Sequence, residues 1–346
     1  MNIVATNIAN GMLPANGRIE LAFDRLLLPL SVVRQTFVLE EQVQGGNSVL
    51  LTPTPAYDPA ARVVTLTPMA TLDVNSPFTL TIVSPSGPTD PNGLRAIDGA
   101  GLAPSAQRVF GFMTTMPAAA APTPQPSIDY CRDISPVLLA HQCAFCHDGT
   151  SPSGANGPGA GLALDSPADV QATAIGRVAQ GSNTGPLAGN PEPPTLQFAE
   201  DMPIVDPGTG PSGMGAENSP GSGDPAHSWF MYKLLMAVAP LCDTTLSAGV
   251  APCDGGVPEG GSFAVSIAGV YSVTCSDAGD PCPQPLPDAE RERLAGMITG
   301  REMPPNPAGP LSATYPPGIQ HGLSVDELER VSFWIAQGAP LPASCP

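Results

Sequence analysis

Cys143-Ala144-Phe145-Cys146-His147 reads C-x-x-C-H. Two thiols separated by two residues, followed at once by an imidazole, form the attachment signature of a c-type haem. At such a site each sulfur adds to a vinyl group, and the two-residue spacing on a helical turn matches the vinyl separation. The adjacent histidine then sits under the iron as an axial ligand. Two other chemistries use the same residues. A zinc half-site needs a second ligand pair at ordinary spacing, and no convincing pair is present. A redox dithiol needs a βαβ context, and the flanking pattern is not of that kind. One haem c is therefore expected, held through Cys143, Cys146 and His147.

Working outward, Ile128–His147 (IDYCRDISPVLLAHQCAFCH) has the spacing of one helix, with Ile134, Val137 and Leu138 on an apolar face. Asp133 is the expected N-cap, and Pro136 falls in the first turn, where a missing N–H costs nothing. Further helices are expected from about Asp169 to Val178, over Ala226–Ala237 behind the cap Asp224-Pro225, and from about Asp288 to Ile298. The last is Val325–Gln337, with Ser324 and Glu327 as a capping box. The remainder of this half is rich in proline and glycine loops.

The sixth ligand of the iron decides what such a site does. Met303, in Arg301-Glu302-Met303-Pro304-Pro305, is the first candidate. A thioether favours Fe(II) and raises the reduction potential, and flanking prolines stiffen the loop that carries it. Met202, followed by Pro203, competes, and Met214 and His321 are weaker choices. The bland readings are a surface position for His141, structural or solvated positions for His227 and His321, a cap for Asp224, and core positions for Trp229 and Trp334. No Ser/His/Asp set, carboxylate pair or phosphate loop occurs, so an electron carrier is expected rather than an enzyme.

Residues 1–116 read differently. Arg18–Phe23 alternates, with Ile19, Leu21 and Phe23 on one face. Phe37–Glu40, Ser48–Thr52, Val63–Thr67, Phe78–Val83 and Val109–Thr114 follow, short and separated by turn residues. The spacing predicts an all-β, seven-stranded sandwich. This half holds no cysteine and no histidine. Residues 117–126 (PAAAAPTPQP) form a stiff linker. Three parts are thus expected: a β-sandwich domain over 1–116, a Pro/Ala linker over 117–126, and a monohaem domain over 127–346.

The chain has 346 residues and a net charge of −18. Residues 1–117 carry −2 and residues 118–346 carry −16, so the acidity belongs to the haem half. It argues against nucleic acid and anionic membranes and for redox partner proteins that are basic at the docking face. Lys233 is the sole lysine. Six cysteines remain beyond the motif, all in the haem half. An even set suggests disulfides and an oxidising compartment. Chain proximity and closure of the domain's two ends suggest Cys131–Cys345, Cys242–Cys253 and Cys275–Cys282, the last two inside an insertion at about 240–298. No stretch reaches the roughly 18 apolar residues of a membrane span. Met1–Met12 lacks the pattern of a signal peptide. A mature or truncated chain is therefore expected, from a periplasmic, extracellular or cell-surface protein.

Two resemblances add to this. "NGRIELAFDRLLLP", "QTFVLE", "RVVTLTPMATLDVNSPFTLTIV", "GLRAIDGAGLAPS" and "FGFMTT" resemble, in that order, the bacterial Ig-like domain of the S-layer type. Phe23-Asp24 and Thr67-Pro68 with Leu72 match its strand-end positions. This resemblance implies a spacer, adhesion or docking role. "DISPVLL" with "CAFCH", "LALDSPADV", "GDPAHSWFMYKL", "EMPPNPAGPLS" and "LSVDELERVSFWIAQGAP" resemble the planctomycete-type class I cytochrome c domain. That resemblance implies Cys143 and Cys146 as thioether sites, His147 as proximal and Met303 as distal ligand. It also implies that the Trp334 helix packs on the first helix across the haem edge. The expected fold is thus an Ig-like β-sandwich followed by a mainly α, loop-rich cytochrome c fold with a disulfide-bearing insertion. The expected function is single-electron transfer between redox partners. The alternative is a surface scaffold or adhesion protein carrying a haem module for an associated oxidoreductase.

Overall fold

A computed structural model of the protein describes residues 1–8, 10–43, 47–87, 90–118, 127–148, 161–179, 198, 202–208, 223–237, 263–267, 271–275, 286–298, 303 and 322–346. The first 115 residues build two sheets. One contains β1 (Ile3–Thr6), β3 (Ile19–Phe23), β7 (Val63–Thr67) and β6 (Thr54–Asp58) in the order β1-β3-β7-β6. The other contains β2 (Met12–Pro14), β9 (Val109–Thr115), β8 (Pro77–Ile82), β4 (Phe37–Gln42) and β5 (Ser48–Leu51) in the order β2-β9-β8-β4-β5.

Side chains alternate across a strand, so one face of each sheet can be apolar. Ile19, Leu21, Phe23, Val64 and Leu66 from the first sheet meet Phe37, Leu39, Phe78, Leu80, Ile82, Phe110 and Phe112 from the second in one core. The rings of Phe78 and Phe112 stack at 5.6 Å. The arrangement is sandwich-like. Among the described residues it has nine strands, not the seven that the spacing predicts. Three of them, β1, β2 and β6, have no counterpart among the six runs read from the sequence, and all three lie at sheet edges. β2 ends on Pro14 and β6 contains Pro55. Proline cannot donate to a ladder and is confined to such edges, and it hides a short strand from a reading based on alternation.

The second half is helical. A π-helical turn, Tyr130–Ile134, leads into α1 (Ser135–Ala140), and α2 (Cys143–Cys146) follows. The expected single helix over 128–147 is therefore broken. Gln142 sits at φ +53°, in the left-handed region, and the chain turns there. The cap also differs. Asp129, not Asp133, accepts from the Arg132 N–H, while Asp133 accepts from the Asp129 N–H at 2.7 Å. The two acidic side chains satisfy donors that an α-helix start leaves unpaired.

α3 (Pro167–Thr173) starts earlier and ends sooner than expected, because Ser166 takes the N-cap position. The helix expected over Ala226–Ala237 is a 3-10 turn, Pro225–His227, followed by α4 (Trp229–Leu235). Ser228 breaks it by staying extended, with its hydroxyl donating to Asp224 O and accepting from Asp206 N. α5 (Asp288–Met297) and α6 (Val325–Ala336) match their expected spans closely, and the capping box of Ser324 and Glu327 is formed. Within the expected insertion, β10 (Phe263–Ile267) and β11 (Tyr271–Cys275) pair as an antiparallel hairpin, an element without a counterpart in the sequence reading. Among the described residues no helix is long and apolar enough to cross a membrane.

Two features frame the site. Cys131 and Cys345 form a disulfide, with Cα atoms 5.4 Å apart, tying the start of the helical half to its end. Cys242, Cys253 and Cys282 lie outside the described residues, and with them the pairings suggested as Cys242–Cys253 and Cys275–Cys282. The two halves also share a core. Leu26, Leu28, Ala60 and Ile97 of the sandwich pack in one cluster with Tyr130, Met231, Leu294 and Trp334.

Candidate haem-attachment site

The site is assembled on α6. Its apolar face buries Leu328, Val331, Trp334 and Ile335. Trp334 packs against Tyr130 with ring centres 5.7 Å apart, so the last helix rests on the first segment of the helical half. Gln337 accepts from the Ile128 N–H at 3.1 Å. Gly223 lies against the end of α6, donating its N–H to Ala336 O at 3.0 Å. A Cβ there would stand 2.0 Å from the Ile335 carbonyl oxygen, so only glycine fits.

The turn that carries the motif is anchored by His141. This residue is buried, and its Nε2 lies 3.0 Å from Glu327 Oε2. The surface position expected for it is thus corrected. The same Glu327 oxygen accepts from the Ser324 N–H at 2.7 Å. His141 therefore ties the chain just before Cys143 to the first turn of α6. Glu327 is visible in the sequence as a capping residue, but its second partner lies 186 positions away and leaves no local sign.

After α2 the chain closes on itself. The His147 N–H donates to Cys143 O at 3.0 Å. The His147 ring is buried, and its Nδ1 lies 3.1 Å from Leu162 O. A carbonyl oxygen only accepts, so Nδ1 carries the proton and the neutral imidazole keeps its Nε2 lone pair. Orientation of a ligating imidazole by such a bond on the other nitrogen is common at metal sites.

Nε2 of His147 faces the Met303 sulfur at 3.2 Å, across 156 positions. A thioether sulfur has no proton to give. In the neutral imidazole this contact therefore sets two lone-pair donors against each other, with no hydrogen between them. An acceptor of both lone pairs, such as a metal ion, would relieve it. Met303 is held by its own N–H, which donates to Lys233 O at 3.2 Å. Met202 is buried, and its carbonyl accepts from the Ala179 N–H. Met214 and His321 lie outside the described residues.

Cys143 is half-buried and Cys146 exposed, and neither is in a disulfide. Burial pushes the Cys143 thiol up to about 12. Redox-active cysteines are thiolates with a lowered pKa, and the shift here is in the opposite direction. Among the described residues no three His, Cys, Asp or Glu side chains are grouped to hold a bare metal ion.

The donor set suits a haem instead: two unpaired thiols on one turn, an oriented imidazole and a facing thioether. One further atom is consistent with a missing partner. Trp229 Nε1 is buried with no acceptor, on the helix whose Lys233 carbonyl holds Met303. The Lys233 ammonium sits 5.2 Å from the centre of the Trp229 ring, a cation–π distance. His227 is structural, its Nδ1 3.1 Å from Asp206 Oδ2. Burial pulls its pKa down, but the Asp206 hydrogen bond and the Asp224 charge outweigh this, and the net shift is upward. Asp224 caps the 3-10 turn through the N–H groups of Ala226 and His227.

No protein-family model matches the chain, and no curated protein is similar to it. Among solved structures it is similar to the N-terminal part of the bacterial S-layer protein SbsC, at 15% identity and a TM-score of 0.23, over 30% of this chain and 22% of that one. It is also similar to domains 1-6 of surface layer protein SbsC, at 12% identity and a TM-score of 0.25, over 34% of this chain and 14% of that one. The chain spans less than a quarter of the length of these proteins, and the likeness to S-layer proteins is a distant one.

Proposed function

We propose that this chain is an exported monohaem c-type cytochrome that passes single electrons between redox partners. Cys143 and Cys146 are its thioether sites, and His147 and Met303 are the axial ligands. The observation that carries this reading is the 3.2 Å approach of His147 Nε2 to the Met303 sulfur, beside two thiols in the C-x-x-C-H pattern. The sandwich-like half is read as an Ig-like domain.

Haem, when bound, supplies a one-electron Fe(III)/Fe(II) couple. The protein's own residues do the rest. The Leu162 carbonyl fixes the imidazole's tautomer and direction. Met303, held through Lys233 O, offers a soft sulfur that favours the reduced state. The apolar residues around Trp334 and Met231 exclude water. The Cys131–Cys345 disulfide fits an oxidising compartment outside the cytoplasm. The net charge of −16 on residues 118–346 suits partners that are basic at the docking face.

The test is expression in a host that matures c-type cytochromes. The denatured chain is expected to carry the mass of one haem, and a C143S/C146S variant to carry none. The oxidised protein is expected to show a methionine–iron charge-transfer band that Met303→Ala loses, and the reduced variant to bind carbon monoxide far more tightly than the parent. Absence of haem mass from the parent chain would overturn the reading. An unchanged spectrum in Met303→Ala would overturn the ligand assignment.

A further inference from the structure

We propose that the β-sandwich positions the distal ligand: Arg25 and Glu290 are positioning residues that hold α5, and through it the Met303 segment, against the site. This rests on the reading of Met303 as an axial ligand.

Arg25 follows β3 at the end of the sandwich. Its Nε donates to Glu290 Oε1 on α5 at 2.8 Å, and its Nη2 to Asp98 Oδ2 at 2.7 Å. The other Glu290 oxygen accepts from the Leu26 N–H at 3.2 Å. Arg293, one turn along α5, adds Nη1 to Glu290 Oε1, and its Nε lies 3.7 Å from Asp98 Oδ2. Both Glu290 oxygens are therefore used, and two of its three partners belong to the sandwich. The Glu290 side chain is 2% exposed and that of Arg25 14%.

Burial matters for what the pair does. An exposed ion pair contributes between nothing and about 1 kcal/mol. A buried one, once broken, leaves a desolvated charge without a partner, which is far more costly. Glu290 therefore cannot drift from the sandwich without exposing itself or orphaning the Leu26 N–H. α5 is held in register along with it. Behind the pair, Leu26, Leu28 and Ile97 of the sandwich share a core with Leu294, Met297 and Ile298 of the α5 segment, and Met303 packs against that same core.

From Ile298 to Met303 is five residues. An extended chain covers at most about 17 Å in that distance, so the place of α5 bounds the place of the sulfur. The second tether, Met303 N–H to Lys233 O, sits on α4. Met303 is thus bonded to α4 and tied by five residues of chain to α5, which the sandwich clamps. The sandwich is then part of the redox site's scaffold rather than a spacer beside it.

The test uses the full chain loaded with haem and compares Arg25→Ala, Arg25→Lys, Glu290→Gln and, as a control within the sandwich, Arg34→Ala. Each is measured well below its melting temperature. The readouts are the methionine–iron charge-transfer band, carbon monoxide affinity of the reduced protein, and reduction potential. Arg25→Ala and Glu290→Gln are expected to weaken the band, to raise carbon monoxide affinity about tenfold or more, as for coupled contacts, and to lower the potential. Arg25→Lys is expected to restore part of each, and Arg34→Ala to change none. Glu290→Gln is nearly isosteric and keeps the test open if Arg25→Ala does not fold. A full band and unchanged carbon monoxide affinity in both variants, with only a lower melting temperature, would overturn the proposal while leaving Met303 as ligand. A parent protein without the band would overturn both.

Discussion

Glu329 lies buried on α6, and its Oε1 has no hydrogen-bond partner. Burial, reinforced by the charges of Asp58 and Asp326, pushes its carboxyl from 4.5 to about 9. The group keeps its proton in the fold through neutral pH but would lose it in the unfolded chain. The folded state therefore binds the extra proton between those two values, and stability falls as pH rises through that window. Glu20, raised to about 7 by burial despite Arg18, acts in the same direction over a narrower range. Glu329→Gln is expected to flatten most of this slope. Its stabilisation relative to the parent should be near zero at about pH 4 and grow to a few kcal/mol at about pH 8. Urea titrations at the two pH values check this, and parallel pH profiles for parent and variant would count against it. Nothing in the sequence distinguishes Glu329 from a solvated helix glutamate, because its shift comes first from burial, which packing decides, and then from charges that include Asp58 in the other half of the chain.

At the scale of elements, α6 shows which interactions are local. The Ser324 hydroxyl accepts from the Glu327 N–H, and the Glu327 carboxylate accepts from the Ser324 N–H. Ser324→Ala is expected to cost about 1 kcal/mol. Glu327→Ala removes the reciprocal bond and also leaves buried His141 without its carboxylate, so about 3 kcal/mol is expected. Chemical denaturation of both variants gives the comparison, and equal losses would mean that the His141 contact contributes nothing. The helix caps at Asp224 and Ser324, and the spans of α5 and α6, were legible because a cap joins residues two or three apart. The break at Gln142 was not. Its left-handed φ accompanies the pairing of His141 with Glu327, which a periodicity reading cannot see.

For the whole molecule, the Cys131–Cys345 bond closes a loop of 214 residues in sequence separation. In the chain-entropy description a loop of that length is worth about 5 kcal/mol of stability. A C131S/C345S variant is expected to unfold at markedly lower denaturant. It should keep its haem, because neither cysteine belongs to the motif. Loss of haem attachment in that variant would show that the disulfide is needed to form the site. The sandwich contributes at this scale too. Ser332 on α6 donates to Asp58 Oδ1 on β6 at 2.8 Å, and Glu290 on α5 is held by Arg25 and the Leu26 N–H. Composition and a proline linker suggest separate modules. The buried contacts join them, since Glu290 and Ser332 each find a partner across the interface.

What the sequence by itself determined is local: the C-x-x-C-H turn, the alternating strands Ile19–Phe23 and Val63–Thr67, and the capped helices. These depend on residues within a turn or two, where the backbone's hydrogen-bond requirements and a period of two or 3.6 leave little choice. The tertiary structure alone decided which sulfur meets His147, that His141 is buried on Glu327, and that sandwich residues clamp α5. Those contacts join residues more than 150 positions apart. Their geometry and the protonation of the buried acids follow from packing, which brings distant charges and donors into one water-poor region.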